Sequence, residues 1–349
     1  MTTPLLSICI ATYNRADVIG QTLDSIISQI QEEVEIVVVD GASTDDTANV
    51  MQQYQDRCPA IRYHRMPVKG GVDRDFFHAV SFAAGEYCWL MTDDDIVKPG
   101  AVDTILALLP RKYSLIVLNA EVRDKSLMNR LDSRRLRLAA DTYYDPASRE
   151  KLFIETATYL TFIGAVVIDR ALWNERIKEP YIGTEFIHVG VIFQKDLPHG
   201  AFVVADPCLI IRFGNAQWSP RHFEIWQIKW PSLIWSFSDI SDQAKARISL
   251  RNPWKNMVIL LLERACEGYT IHEYKRFFAD RLDSRWRLFI AKTIALFPGA
   301  VLNLLAVILF SILTSYDRVF FHRLVTSRFY YRQYFRRMIQ SKKNAVGLF

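Results

Sequence analysis

Much that would settle a protein's class is missing from this chain. None of its five cysteines (Cys9, Cys58, Cys88, Cys208, Cys266) stands in a C-x-x-C pair, and their number is odd. That excludes a disulfide framework and a zinc ribbon, and it fits a reducing compartment. Four of the five lie in or beside apolar runs, where a free thiol behaves as a small hydrophobe. No basic stretch precedes the first apolar run: Met1-Thr2-Thr3-Pro4 enters a strand directly, so no secretory leader is expected and the catalytic part should be cytoplasmic. No glycine follows the first strand, where Thr12-Tyr13-Asn14-Arg15 stands instead. An α/β nucleotide enzyme built on a glycine-rich phosphate loop, such as a nucleotidyltransferase, would need one there. There is neither an internal repeat nor a low-complexity segment. With 349 residues, half of them hydrophobic, the chain has enough apolar surface for one large core or two modest ones.

Charge of one sign is missing from two C-terminal stretches. Residues 293–316 carry no charge at all. From Tyr316 onward eight Lys and Arg residues face a single acid, Asp317. The net charge of +5 therefore describes a basic tail on a slightly acidic protein. Aromatic residues interleave with the arginines (Arg328, Arg332, Arg336 among Phe329, Tyr330, Tyr331, Tyr334, Phe335), but the acidic remainder and the lack of any nucleic-acid module argue against nucleic acid.

Apolar patterning gives strands over 5–11, 35–40, 61–65 and 87–91, and helices over 18–29, 44–54 and 75–84. The second helix has Ser43 or Thr44 as its expected N-cap. The second strand is nearly all Val and Ile, as a strand buried on both faces requires. Further elements follow: a helix over 101–109, strands over 114–119 and 161–169, a helix from 171, then strands over 201–205 and 208–213. This alternation predicts a doubly wound α/β sheet. An arginine-rich stretch, 123–137, reads as a surface excursion. Beyond Trp218 the sequence turns tryptophan-rich and helical.

In such sheets ligands sit outside the carboxyl ends of the strands. Polar clusters stand at three of those ends: Thr12-Tyr13-Asn14-Arg15, Asp40-Gly41-Ala42-Ser43-Thr44-Asp45, and Thr92-Asp93-Asp94-Asp95. A fourth, Lys69-Gly70-Gly71-Val72-Asp73-Arg74-Asp75, lies between the second and third. Adjacent carboxylates repel unless a cation sits among them, and hard oxygen ligands suit Mg²⁺ or Mn²⁺ carrying a diphosphate. A solvated acidic turn is the plainer reading of the triplet alone.

Together these segments resemble the family 2 glycosyltransferases of the GT-A fold. The resemblance rests on Ser7–Arg15 (Ser7-Ile8-Cys9-Ile10-Ala11-Thr12-Tyr13-Asn14-Arg15), on Val38-Val39-Asp40-Gly41-Ala42-Ser43-Thr44-Asp45-Asp46-Thr47, and on Ala83-Ala84-Gly85-Glu86-Tyr87 leading to Thr92-Asp93-Asp94. It is strong over residues 5–110 and weakens towards 215. Gly70–Asp75 and the aspartate run resemble the abequosyltransferase-like branch that decorates lipid-linked O-antigen or capsule units. The resemblance implies a nucleotide-diphospho-sugar transferase domain over 1–215, with a nucleotide half (1–100) and an acceptor half (101–215). It implies that Asp40 and Ser43, with the turn of Thr12, Tyr13, Asn14 and Arg15, hold the nucleoside. Asp93 then meets the ribose or sugar, Asp94 binds the metal with Asp95 as a second ligand or only a supporting hydrogen-bond acceptor, and Asp73 and Asp75 either reach donor-sugar hydroxyls or cap their loop. One departure is Thr92, where many relatives have an aspartate. For the general base of inverting transfer the matching stretch is Tyr181–His188, which offers Glu185, then His188. Arg212 and Trp218 resemble the loop that folds over bound diphosphate, and His222 reads as structural.

Residues 216–349 form the expected helical region, with a membrane-anchoring segment at 293–316 and a basic tail at 317–349. Pro298-Gly299 breaks the uncharged stretch and basic residues flank both sides, which favours an in-plane or re-entrant anchor on the cytoplasmic face over a single span. The implied function is metal-dependent inverting transfer from a nucleoside diphosphate sugar to a polyprenyl-diphosphate-linked glycan. A non-catalytic sugar-nucleotide or glycan binding protein on the same fold is the contrasting reading.

Overall fold

The computed structural model describes residues 3–217, 219–278, 284–312 and 318–332. Trp218, parts of the uncharged stretch and the end of the basic tail fall outside them. Two compact units emerge: residues 1–215 with 232–249, and residues 216–231 with 250–349.

The first unit is an α/β domain whose sheet has ten strands among the described residues. They are β1 (Leu6–Thr12), β2 (Val34–Asp40), β3 (Ile61–Arg65), β4 (Tyr87–Met91), β5 (Ile96–Val97), β6 (Leu115–Arg123), β7 (Arg130–Asp132), β8 (Thr142–Tyr144), β9 (Val166–Asp169) and β10 (Ala201–Arg212). The main order is β3-β2-β1-β4-β9-β6-β10-β5, with β7 beside β6 and β8 beside β10. Strands β3, β2, β1 and β4 run parallel, and every residue of β2 and β4 is buried, as their unbroken apolar runs require. The sheet is nonetheless mixed, because β9 is antiparallel to both β4 and β6. The stretch 161–169 supplies only its last four residues to that strand, since short 3-10 turns occupy Tyr159–Thr161 and Ile163–Ala165. The two strands expected over 201–213 are one bulged strand, β10.

The helices of this unit are α1 (Ile19–Ile27), α2 (Thr47–Arg57), α3 (Val72–Phe82), α4 (Ala101–Leu108), α5 (Arg149–Thr156), α6 (Arg170–Glu175) and α7 (Ile187–Phe193). Helix α2 begins later than the sequence suggests, and Ser43 and Thr44 do not cap it; both are engaged with Asn14. Helix α3 begins earlier, at a Gly71 whose φ of 89° few other residues adopt. Gly85 earns its place by close approach. A Cβ there would lie 2.7 Å from the Ser7 backbone nitrogen, while its own N–H donates to Ser7 Oγ (2.8 Å). Ser7 Oγ in turn donates to Glu35 Oε1 at 2.6 Å, so β1, β2 and the entry to β4 are locked by one buried network.

The second unit is helical. Phe223, Leu260, Tyr269, Phe277, Phe278, Ala291, Ile294 and Ala295 form one core, and Ala265, Cys266, Ala306 and Leu324 another. Buried Glu263 accepts from Arg323 (2.8 Å) and Gln227 (3.1 Å) and lies 3.3 Å from His222 Nε2. Burial pushes this carboxyl up, but Arg323 and His222 outweigh burial and hold it at about 2. No single described helix is long and apolar enough to cross a membrane; Arg285–Leu296 and Gly299–Ile312 pass that test together but meet at 90°. On the second of these, Val301, Leu304, Leu305, Ile308, Leu309 and Ile312 form an exposed apolar stripe at helical spacing, with Ile312 at 74% exposure.

Candidate active site

The strand order reverses between β2-β1 and β4, so the carboxyl ends of these strands open on one crevice. Parallel register sets Thr12 beside Asp40 and Ile10 beside Met91, which brings the first and third polar clusters together.

The turns after β1 and β2 are welded to each other. Asn14, at φ 52°, donates its backbone N–H to Ser43 Oγ (2.8 Å) and accepts the Thr44 N–H on its side chain (2.7 Å). Arg15 N–H donates to Thr47 Oγ1 at 3.0 Å. Asp40 is fully buried with both oxygens taken: Oδ1 accepts the Ser43 N–H (2.7 Å) and Oδ2 the Tyr63 hydroxyl (2.6 Å). Its visible task is to shape the turn at 40–43. Lys69 sits 3.5 Å over the Tyr13 ring, a cation–π contact at the crevice.

Arg15 bridges two of the three aspartates: Nε lies 3.3 Å from Asp93 Oδ1 and Nη2 3.5 Å from Asp94 Oδ2. Asn215 Nδ2 donates to the same Asp94 oxygen at 3.0 Å, and Asn215 O accepts from Arg15 Nη1 at 3.0 Å. Burial, and then the charge of Asp94, push Asp93 up to about 7 despite Arg15. With both carboxylates ionised, the pair sets two negative charges against the single guanidinium. Asp95 differs. Its Oδ2 accepts the Thr92 hydroxyl (2.5 Å) and its Oδ1 the Arg212 N–H (2.6 Å), so it is spent inside the fold and Thr92 serves as its partner. Arg212 is equally committed, donating to Asp94 O (2.8 Å), Lys125 O (3.2 Å) and Gln21 Oε1 (2.7 Å). It fixes the acidic turn instead of presenting a free cation.

The fourth cluster opens α3. Asp75 is 5% exposed, its Oδ2 would lie 2.6 Å from a Cβ on Gly41, and its Oδ1 has no hydrogen-bond partner. Burial first, then the charge of Asp40, push it up to about 6, with Lys69 opposing. Asp73 turns the other way, to the segment carrying Glu185, a partly exposed residue at φ 74°. His188 is in the core: Nε2 lies 2.6 Å from Leu160 O, and burial lowers its pKa to about 4. A buried ring already bonded to a carbonyl is a poor proton acceptor for an incoming hydroxyl. Sequence reasoning missed Tyr63, Asn215 and Gln21, none of which carries a local signal; only contacts across the fold select them.

Among the described residues no group of three or more His, Cys, Asp or Glu side chains is arranged as a metal cage. Two hard carboxylates with surplus charge, Asp93 and Asp94, suit instead an ion that takes one or two protein ligands and completes its shell with phosphate and water.

An α/β crevice of this layout, with paired carboxylates at the switch point, defines a GT-A type of nucleotide-sugar fold. The structure of S. aureus TarS (residues 1–349) in complex with UDP-GlcNAc shares that fold, with a TM-score of 0.53 and 15% identity, covering 94% of this chain and 91% of that one. Residues 7–167 match the family described as Glycosyl transferase family 2, so the chain carries a domain of that family. It is 25% identical over 224 residues to the abequosyltransferase RfbV of Salmonella typhimurium, covering 60% of this chain and 67% of that protein. It is 27% identical over 128 residues to the GalNAc(5)-diNAcBac-PP-undecaprenol beta-1,3-glucosyltransferase of Campylobacter jejuni, covering 36% of this chain and 41% of that protein. Against the chondroitin synthase of Pasteurella multocida the match spans only 11% of the relative's length.

Proposed function

We propose that the protein transfers a sugar, with inversion, from a nucleoside diphosphate sugar to a lipid-linked glycan in the synthesis of a bacterial surface polysaccharide. The observation that carries this reading is the Arg15–Asp93–Asp94 cluster, set at the sheet's switch point beside the turn at 40–43. The nucleoside lies against Tyr13 and the Asp40 turn, and Asp75 offers its unpartnered oxygen to the donor. Asp93 and Asp94 are the residues that would hold Mg²⁺ or Mn²⁺, which would supply Lewis-acid stabilisation of the charge on a departing diphosphate. Glu185 takes the proton of the acceptor hydroxyl as that oxygen bonds to the anomeric carbon and the carbon–phosphate oxygen bond breaks.

Two observations support a lipid-linked acceptor at the cytoplasmic face of the membrane. The Campylobacter relative is named for an undecaprenol-linked substrate. The stripe from Val301 to Ile312 exposes large aliphatic side chains beside exposed Trp286 and Phe289 and the basic Arg285, Arg287 and Lys292, a mixture suited to a headgroup layer. The test is release of nucleoside diphosphate from a panel of sugar nucleotides, with and without an undecaprenyl-diphosphate glycan, for wild type, Asp94→Ala and Glu185→Gln. Acceptor-dependent release lost in both variants supports the reading; no release from any donor would leave a binding protein.

A further inference from the structure

Asp73 is a buried carboxylate, 4% exposed, for which the reaction above has no chemical use. It stands in the first turn of α3, where an acid ordinarily faces its own helix terminus. Here both oxygens leave that helix for a segment 110 residues away. Oδ2 accepts the N–H groups of Gly183 (2.7 Å) and Glu185 (2.8 Å), and Oδ1 that of Ile187 (3.1 Å). The two intervening N–H groups are satisfied locally, Thr184 by Tyr181 O and Phe186 by Thr184 Oγ1. Every N–H from 183 to 187 is thus assigned, alternate ones to a single carboxylate. The backbone curls to achieve this. Gly183 has φ 90° and Glu185 φ 74°, a left-handed conformation that a glutamate does not adopt unaided. Successive N–H groups around such a curl form an anion-holding nest, and Asp73 fills it.

We infer that Asp73 is the positioning residue of the general base: it sets the backbone of the 183–187 turn, and so the place of Glu185 relative to the donor. This rests on Glu185 being that base. The same helical turn carries Asp75 against Gly41, so one rigid element touches the donor side with Asp75 and the base-bearing turn with Asp73. Burial, outweighing the three N–H groups and joined by the charge of Glu185, pushes Asp73 up to about 6.

The experiment compares Asp73→Asn, Asp73→Glu and Glu185→Gln in the full chain, measuring kcat, donor KM, nucleotide affinity, the pH–rate profile and amide exchange over 182–188. Asp73→Asn should lower kcat by about 100-fold, as a displaced catalytic group does, with donor KM and nucleotide Kd within about twofold. Asp73 titrates near 6 and Asp73→Asn removes that titration, so the acid limb of the rate profile should move to lower pH, which a merely structural residue would not do. Asp73→Glu keeps the charge and misplaces the turn, so it should lower kcat without moving that limb. Exchange should rise over 182–188 and stay unchanged in β2, which also gives a reading if one variant folds poorly. Wild-type kcat and an unmoved limb in Asp73→Asn, with Glu185→Gln inactive, would overturn this inference alone. Full turnover in Glu185→Gln would overturn the assignment of the base and this inference with it.

Discussion

Replacing Asp75 by asparagine should make the protein more stable, and only above a defined pH. In the folded chain burial and Asp40 hold Asp75 at about 6, against the ordinary 3.8. Between those values the native state keeps a proton that the unfolded chain has released, so stability falls as pH rises through the window. Below 3.8 both states are protonated and the residue is neutral to the balance. Above 6 both are ionised and the fold carries the whole penalty, which at ~1.4 kcal/mol per tenfold change in proton affinity is at most ~3 kcal/mol. An asparagine leaves its own amide incompletely paired, which costs about 1 kcal/mol and reduces the expected gain to ~1–2 kcal/mol. Urea unfolding at pH 4, 6 and 8 measures this directly, because a change in midpoint at constant slope is a change in stability. The variant should be slightly less stable than wild type near pH 4 and exceed it by pH 8. A variant less stable than wild type at pH 8, or a difference equal at all three values, would refute the electrostatic reasoning. The same substitution should weaken donor binding, since Asp75 is then a functional group kept against the interest of stability.

Other outcomes follow from the same geometry. Arg212→Ala removes donors from two carbonyls and Gln21 around the acidic turn, so a loss of ~2–4 kcal/mol in unfolding free energy is expected, along with a raised donor KM. His188 is buried with a pKa near 4, below its ordinary 6.5, so its contribution to stability is present above 6.5 and lost as pH falls through 4; His188→Gln should blunt acid unfolding there and leave the neutral pH–rate profile unchanged. Replacing Leu304, Leu305 and Ile308 together by serine should lower partition onto anionic vesicles by at least tenfold, at ~1.5 kcal/mol or more for each large side chain withdrawn from lipid. Sedimentation with vesicles measures that, and unchanged partition would remove the stripe from the account.

The strands of the first hundred residues were largely legible in the sequence because their signals are local. Unbroken Val, Ile and Leu runs mark β1, β2 and β4, and polar clusters directly after them mark the crevice. Position alone puts Arg15, Asp40, Asp93 and Asp94 in those clusters; roles for them come only from the family resemblance. What escaped depends on contacts distant in sequence. Nothing in 161–169 encodes that β9 runs against its neighbours, nor that its first half coils into 3-10 turns. Ser43 and Thr44 look like helix caps until Asn14 arrives from the first strand's turn to claim them. Asp95 reads as a second metal ligand or as a supporting hydrogen-bond acceptor until Arg212, 117 residues on, takes one oxygen, and Thr92 looks like a departure until its hydroxyl takes the other. Asp73 reads as a sugar ligand or a loop cap because the sequence cannot show a turn 110 residues away curling its N–H groups around it.

The central claim is that Asp93 and Asp94 hold a divalent cation which in turn grips the diphosphate. Calorimetric titration of nucleoside diphosphates into wild type and Asp94→Ala, in Mn²⁺ and then in excess chelator, tests it most directly. The account predicts that one nucleotide binds wild type at least tenfold more tightly with Mn²⁺, and that Asp94→Ala erases the difference. Equal affinity in manganese and in chelator for the wild-type protein would contradict it.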